Sequence, residues 1–155
     1  MVTFGRILDS QVKMYSYDHN HEISTQAASQ LISIMLYNRR FFPYYIDNIV
    51  AGVDANGKGY VYSYDPVGHC ENSSYRAAGS SVSLMQPFLD NQVGQKNMEG
   101  VDKEKFELSL DDAIKITKDV LTSATERDIN SGDGIHLCVI TKDGIREEKI
   151  DMRKD

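Results

Sequence analysis

Few residues of this chain could do chemistry, and the densest group of them lies near its start. The run Asp18-His19-Asn20-His21-Glu22 holds two histidines and two carboxylates. Its histidines are two positions apart in a polar stretch, whereas zinc proteases need two histidines four positions apart on one helix face. We therefore interpret the run as a solvated turn, and we predict neither a metal site nor a cofactor.

The two cysteines, Cys70 and Cys138, are far apart in the sequence and neither belongs to a CxxC pair. This usage is typical of free thiols in a reducing compartment. His69 precedes Cys70, but neighbours on a strand point to opposite faces, so His69 cannot serve as its base. His136 and Cys138 would share a face. We interpret them as a packed pair, with Cys138 as a small buried apolar residue.

Two further patterns have structural explanations. Tyr60, Tyr62 and Tyr64 alternate along one predicted strand and could stack on bases, but only Lys58 supplies a positive charge nearby. Packing against a helix layer or a partner protein is therefore the preferred interpretation. The segment 128–134 holds two carboxylates and a hydroxyl. Taken alone, it is typical of a helix-to-strand turn.

Composition describes an acidic globular chain. The 155 residues carry 17 Lys+Arg against 23 Asp+Glu, a net charge of −6, with 41% hydrophobic residues. Nucleic acids and membranes are therefore poor partner predictions. The apolar runs are too short to span a bilayer, and the first twenty residues lack the apolar segment of a secretory signal. Length and the absence of a linker-like stretch predict a single domain over residues 1–155.

The elements that must position these residues begin with two helices. Helical spacing places five apolar side chains on one face of the first: Phe4, Ile7, Leu8, Val12 and Tyr15. Ser24 is the expected N-cap of the second helix, with Ala28, Leu31, Ile32 and Met35 inward. Arg39 and Arg40 would occupy its last turn, before Pro43.

Three strands should follow, over residues 45–54, 59–64 and 69–78. Asn56-Gly57 predicts a two-residue type I′ hairpin, and Pro66-Val67-Gly68 the next turn. A short third helix with an apolar stripe of Val82, Met85, Phe88 and Leu89 should be kinked by Pro87.

A surface loop is predicted over residues 94–108. The fourth helix should start at a capping box formed by Ser109 and Asp112. Its predicted buried face comprises Leu110, Ala113, Ile114, Val120, Leu121 and Ala124. A last hairpin should turn at Asp143-Gly144. Antiparallel hairpins beside paired helices predict an α+β fold with helices layered on sheets.

Several ordered motifs resemble one family, the proteasome beta subunits, and within it the beta type-1 group at the sixth position of the eukaryotic ring. They are RRFFPYY (39–45), GKGYVYSYDPVG (57–68), QPFLDNQV (86–93), TSATERD (122–128) and VITKDG (139–144). The resemblance covers about residues 14–155. It implies the N-terminal-nucleophile hydrolase fold, a four-layer sandwich of antiparallel sheets between helix layers, here incomplete at the N-terminus.

By this resemblance, active relatives carry an upstream portion with a nucleophilic threonine and its lysine, and the type-1 position is inactive. Ser80 matches the serine after the glycine of the third helix. Asp128 and Ser131 match the Asp-x-x-Ser that braces the active amine, here as relics without a nucleophile. The subunit-interface candidates are Arg39, Arg40, Phe41, Phe42, Tyr44, Gln86, Phe88 and Asn91.

The resemblance therefore implies a non-catalytic structural subunit in the cytoplasm and nucleus. Its expected partners are the other beta and alpha subunits of the core particle, which degrades ubiquitin-tagged and untagged proteins. One alternative is an active threonine-protease subunit whose N-terminal portion lies outside this sequence. Another is a truncated product with no role in assembly.

Overall fold

The order of helices and strands follows the sequence prediction throughout. The structure, a computed structural model, describes residues 2–96, 98–99 and 108–153. Two compact units meet in the chain between Ser73 and Ser74, and the single-domain assignment stays a prediction. The first unit contains α1 (Val2–His19), α2 (Thr25–Tyr37), β1 (Asn48–Val53), β2 (Gly59–Tyr64) and β3 (Cys70–Ser73); the second contains α3 (Val82–Gln92), α4 (Leu110–Thr125), β4 (Gly134–Thr141) and β5 (Gly144–Asp151).

The core of the first unit forms where α1 and α2 meet the antiparallel sheet β1-β2-β3. Leu36 is fully buried, and the cluster around it comprises Phe4, Ile32, Tyr62 and Tyr64. Tyr60 packs against this cluster, so the tyrosine row faces the core rather than forming a stacking platform.

A buried phenol needs a hydrogen-bond partner. The Tyr64 hydroxyl donates to the Ser29 carbonyl at 2.9 Å, and burial raises the pKa of this phenol. Of the predicted α1 face, Phe4 is buried and Leu8 packs on the core, but Ile7 is 38% exposed. The contribution of α1 to this core therefore comes from its N-terminal half.

The second helix begins as predicted and ends earlier. The Ser24 hydroxyl accepts a hydrogen bond from the Ala27 backbone N–H. The helix ends at Tyr37, with Asn38 as its C-cap, so the prediction that Arg39 and Arg40 lie in its last turn is wrong. After Tyr37 the chain continues in turns whose N–H groups bond to the carbonyl three residues earlier, such as Arg39 N–H to the Leu36 carbonyl. The helix therefore ends well before Pro43.

The two turns of the first sheet share one construction, and it differs from the predicted type I′ turn. Gly57 has φ 83°, whereas Asn56 does not enter the positive-φ region. The Gly57 N–H donates to the Asp54 carbonyl, and Asp54 N–H to the Lys58 carbonyl. This is a three-residue loop in which only the glycine needs the left-handed region. β2 has its predicted bounds, whereas β1 and β3 are shorter at both ends than predicted.

The second unit packs α3 against α4, with a core of Ala77, Met85, Val120 and Ala124. Ser109 caps α4 as predicted, since its hydroxyl accepts from the Asp112 N–H and donates to the Asp112 carboxylate at 2.6 Å. The predicted apolar faces of α3 and α4 are only partly buried. Leu110 is 54% exposed because it stands in the first turn of α4, and Val82 and Phe88 are also exposed.

The hairpin β4-β5 alternates cleanly between its two faces. Ile135 and Leu137 are each 7% exposed, which places Cys138 on the opposite, exposed face. The prediction that Cys138 is buried is therefore wrong. The turn residues are Lys142 and Asp143, since Thr141 pairs with Gly144, so the predicted turn at Asp143-Gly144 is wrong by one residue.

Two sequence expectations remain open. The third helix continues through Pro87 to Gln92, and the bend at this proline stays a prediction. The predicted surface loop at 94–108 lies largely outside the described residues. No helix in the described ranges is long and apolar enough to cross a membrane.

We predict that Leu36→Ala lowers the free energy of unfolding by about 2–5 kcal/mol, because it leaves a cavity in a fully buried site. Ile34→Ala on the same helix is the matched control, since Ile34 is 49% exposed, and it should cost less than about 1 kcal/mol. Urea unfolding followed by circular dichroism measures both. Equal losses would contradict the assigned core.

Candidate functional site

Three of the residues selected from the sequence meet in the second unit. The Ser80 hydroxyl donates to the Asp128 carboxylate oxygen Oδ2 at 2.6 Å, and the Ser131 hydroxyl donates to the same oxygen at 2.6 Å. The other oxygen, Oδ1, accepts from the Asn130 backbone N–H at 3.1 Å. We call Ser80, Asp128, Asn130 and Ser131 the Asp128 cluster.

Local backbone chemistry brings these groups together. Helix α4 ends at Thr125, and the Asp128 N–H still donates to the Ala124 carbonyl, which fixes the start of the loop. The bond from Asn130 N–H to the Asp128 side chain closes an Asx turn. Ser80 is positioned by the turn that leads into α3. The preceding Gly79 has φ 110°, a conformation that favours glycine, and it lets the chain enter α3 shortly after Ser80.

The Asp128 cluster stabilises a charged carboxylate. Hydrogen bonds from Ser131, then Ser80, then the Asn130 backbone hold the pKa of Asp128 below its usual value. A carboxylate that accepts several hydrogen bonds is a weak base. Where the structure describes the chain, neither serine hydroxyl is bonded to a lysine or histidine. The arrangement can brace the loop, and it lacks a partner that would activate a hydroxyl.

The first unit presents a different candidate, an exposed aromatic segment formed by Phe41, Phe42 and Tyr45. Their side chains are 95%, 82% and 89% exposed. The Arg40 guanidinium lies 5.5 Å from the Phe41 ring centroid. Tyr45 was not among the sequence candidates; its place beside Phe41 and Phe42 is the signal that could have found it.

Two other candidates of the same motif anchor this segment. Tyr44 is half-buried and packs 5.4 Å from the Phe4 ring, and the Arg39 guanidinium lies 4.8 Å from the Tyr44 ring. Tyr44 therefore holds the aromatic segment to the core.

A match to the family model for proteasome subunits covers residues 1–140. This chain belongs to the proteasome subunit family. It is 50% identical to proteasome subunit beta type-1 of Drosophila melanogaster over 147 residues, covering 94% of this chain and 63% of the relative. It is 44% identical to the beta type-1 subunit of Danio rerio over 154 residues, covering 99% of this chain and 64% of the relative.

A third relative is proteasome subunit beta type-6 of Saccharomyces cerevisiae, 46% identical over 153 residues, with 94% of this chain and 64% of the relative covered. The chain thus spans a little under two thirds of the length of these relatives. The predicted resemblance to proteasome beta subunits is confirmed, and with it the α+β, N-terminal-nucleophile hydrolase fold.

The remaining interface candidates of this proteasome family member lie on α3, in the second unit. Gln86 braces its own unit: its side-chain oxygen accepts from the Ala77 N–H at 2.9 Å and its amide donates to Asp90 at 3.3 Å. Phe88 is 36% exposed, and Asn91 is half-buried. Their roles in an interface stay predictions.

Sequence reasoning missed Asp90, which is the centre of a second polar network. Its oxygen Oδ1 accepts from the Tyr75 hydroxyl at 2.8 Å and lies 3.1 Å from the Lys96 ammonium. These hydrogen bonds lower the pKa of Asp90, with the bond from Tyr75 as the largest cause. Tyr75 and Asp90 carry no recognisable spacing, so only the folded chain shows the network.

The histidines resolve as three separate cases. His19 lies in the last turn of α1 and stacks on Tyr15 with ring centroids 4.1 Å apart, so the predicted solvated turn begins only after His19. His69 faces Glu71 at 3.5 Å while Cys70 packs on the core of the first unit, so the pair points to opposite faces as predicted. His136 shares an exposed face with Cys138, whose sulfur lies 3.9 Å from its Nε2.

We predict that Asp128→Asn lowers the thermal unfolding midpoint at pH 7. The difference in midpoint between this variant and wild type should become smaller below about pH 4. A carboxyl with a lowered native pKa stabilises the fold fully above its unfolded pKa, and this contribution is lost as the pH falls through the native pKa. Asp119→Asn, at an exposed position on α4, controls for the loss of one charge. A difference that stays constant from pH 7 to pH 3 would contradict the cluster.

Proposed function

We propose that this chain is a non-catalytic structural beta subunit that contributes to ring assembly in the proteasome core particle. The particle would degrade ubiquitin-tagged and untagged proteins in the cytoplasm and nucleus. Its partners would be the other beta and alpha subunits, with no nucleic acid or membrane. The observation that carries the proposal is the exposed aromatic segment Phe41, Phe42 and Tyr45.

Large exposed aromatic side chains mark interaction surfaces, because burying them against a partner removes apolar area from water. Interface centres are enriched in aromatic residues and arginine, and here Arg39 and Arg40 lie over the neighbouring rings of Tyr44 and Phe41. The segment connects α2 to β1, where Tyr44 fixes it to the core. It therefore offers a partner an apolar surface that is already positioned.

The non-catalytic assignment is supported by the chemistry of the Asp128 cluster. Both serine hydroxyls donate to Asp128, and hydrogen bonding keeps this carboxylate ionised and weakly basic at neutral pH. A hydroxyl nucleophile requires a base whose pKa suits the transfer of its proton. The residues of this cluster do not supply one.

The alternative, an active threonine-protease subunit, is favoured by one observation. Ser80, Asp128 and Ser131 are brought together in the geometry that, by family resemblance, braces the amine of an active threonine. An intact brace would be expected in an active subunit as well as in a relic. A chemical test of the assembled particle distinguishes the two.

We expect this chain to remain unlabelled when assembled particles react with a threonine-directed covalent inhibitor. The particles are purified through a tag on this chain and analysed by mass spectrometry, and the labelled sister subunits serve as the positive control. An inhibitor adduct on this subunit would establish the alternative and refute the non-catalytic role.

We also predict that the combined variant Phe41→Ser, Phe42→Ser and Tyr45→Ser assembles at least about thirtyfold less than wild type, since the loss of even one aromatic hot spot costs about 2 kcal/mol or more. Tyr17→Ser is the control, because Tyr17 is an isolated aromatic that is 82% exposed on α1. Co-purification with alpha and beta subunits measures assembly, and circular dichroism verifies folding. Normal recovery of the folded triple variant would show that this surface is not needed.

A further inference from the structure

The outer face of the hairpin β4-β5 carries a group of metal-ligand side chains that the assembly role does not use. His136 and Cys138 are two positions apart on β4, so they share a face, and Glu147 on β5 pairs directly with Cys138. All three residues are exposed. In the part of the chain that the structure describes, this is the only such group of three. We call it the His136 cluster.

The ligand atoms of the His136 cluster converge on one point. His136 Nε2 lies 3.1 Å from Glu147 Oε2 and 3.9 Å from Cys138 Sγ, and all three atoms lie within 4.8 Å of one another. With zinc bond lengths of about 2.0–2.3 Å, tetrahedral geometry separates neighbouring ligand atoms by about 3.3–3.6 Å. Small rotations about side-chain bonds would bring the group to these distances.

We propose that His136, Cys138 and Glu147 bind a zinc-type divalent cation. One imidazole nitrogen, one thiolate and one carboxylate form a donor set that suits zinc and disfavours magnesium and calcium, which take oxygen ligands. The exposed face leaves a fourth position for water and gives the ion an open path. Lys149 pairs with His136 across the hairpin on the same face, and its positive charge limits the affinity.

Binding would connect the two strands. His136 and Cys138 come from β4 and Glu147 from β5, so the ion would add a cross-strand link between residues whose backbones are already paired. Because the ligands are held in place by the hairpin, the cation would bind the folded state in preference to the unfolded one and stabilise it. This inference is independent of the assembly role.

Cobalt(II) titration of the full 155-residue chain tests the site, because a cobalt–thiolate bond gives a charge-transfer absorption band. We expect one equivalent of cobalt(II) to produce the band. Added zinc should displace the cobalt and abolish the band. Cys138→Ser should abolish the band. His136→Gln and Glu147→Gln should each weaken binding by about tenfold or more, since the loss of even an outer-shell partner of a metal site costs about 10–100-fold.

The first sheet supplies a matched control with the same residue types. His69 and Glu71 flank Cys70, but Cys70 packs on the core instead of sharing their face. Cys70→Ser and His69→Gln should therefore retain the band. The absence of the band in wild type, its persistence in Cys138→Ser, or its loss in Cys70→Ser would each overturn the proposal.

A second readout avoids dependence on variant stability. Zinc should raise the thermal unfolding midpoint of the wild-type chain and leave that of Cys138→Ser unchanged, with each protein compared with itself in the presence of a chelator. An equal rise in both proteins would place the binding elsewhere and refute the assignment.

Discussion

Side chains along a β-strand point alternately to its two faces, and much of this structure follows from that constraint. On β2 it places Tyr62 and Tyr64 in the core of the first unit. On β4 it buries Ile135 and Leu137 and leaves His136 and Cys138 on the outside. The same rule separates Cys70 from His69. Cys70, next to His69, therefore packs on the core, whereas Cys138, two positions from His136, shares its exposed face.

The register that this alternation requires is fixed by two turns of identical design. Asp54 and Asp65 each begin a five-residue turn in which the aspartate side chain accepts from the backbone N–H groups two and four positions later. In both turns a glycine at the fourth position, Gly57 or Gly68, takes a positive φ. Gly68 is further constrained, because a Cβ there would lie 2.5 Å from the Ser33 carbonyl oxygen.

Local chemistry explains which features could be predicted from the sequence. Ser24 and Ser109 are helix caps because a hydroxyl can reach backbone N–H groups within its own first turn. The position of the hairpin at Asn56-Gly57 was also predictable, because an Asn-Gly pair is a local signal for a tight turn. Its turn type was not, because the Asp54 side chain satisfies the loop and removes the need for a second residue at positive φ. The end of α2 at Tyr37 likewise depends on tight turns without a strong sequence signal.

The sites depend on contacts between distant residues, and there the sequence is less informative. Resemblance to a family selected Ser80, Asp128 and Ser131, although no spacing rule relates the first to the other two. The His136 cluster was missed because Glu147 joins it only through the pairing of β4 with β5. Exposure was misjudged for Cys138 because its apolar neighbours in sequence do not share its face.

Two polar clusters of the second unit, the Asp128 cluster and the His136 cluster, differ in how they balance charge. Asp128 receives hydrogen bonds from two hydroxyls and one backbone N–H, so its negative charge is stabilised by donors within the chain. In the His136 cluster, by contrast, a carboxylate oxygen and a thiol sulfur both lie close to one imidazole nitrogen. Only one of them can share a hydrogen atom with that nitrogen at a time, whereas a cation can accept electron density from all three groups once the thiol has released its proton. A complete set of hydrogen-bond donors favours a structural role for the Asp128 cluster, and three converging metal-ligand atoms favour a cation for the His136 cluster.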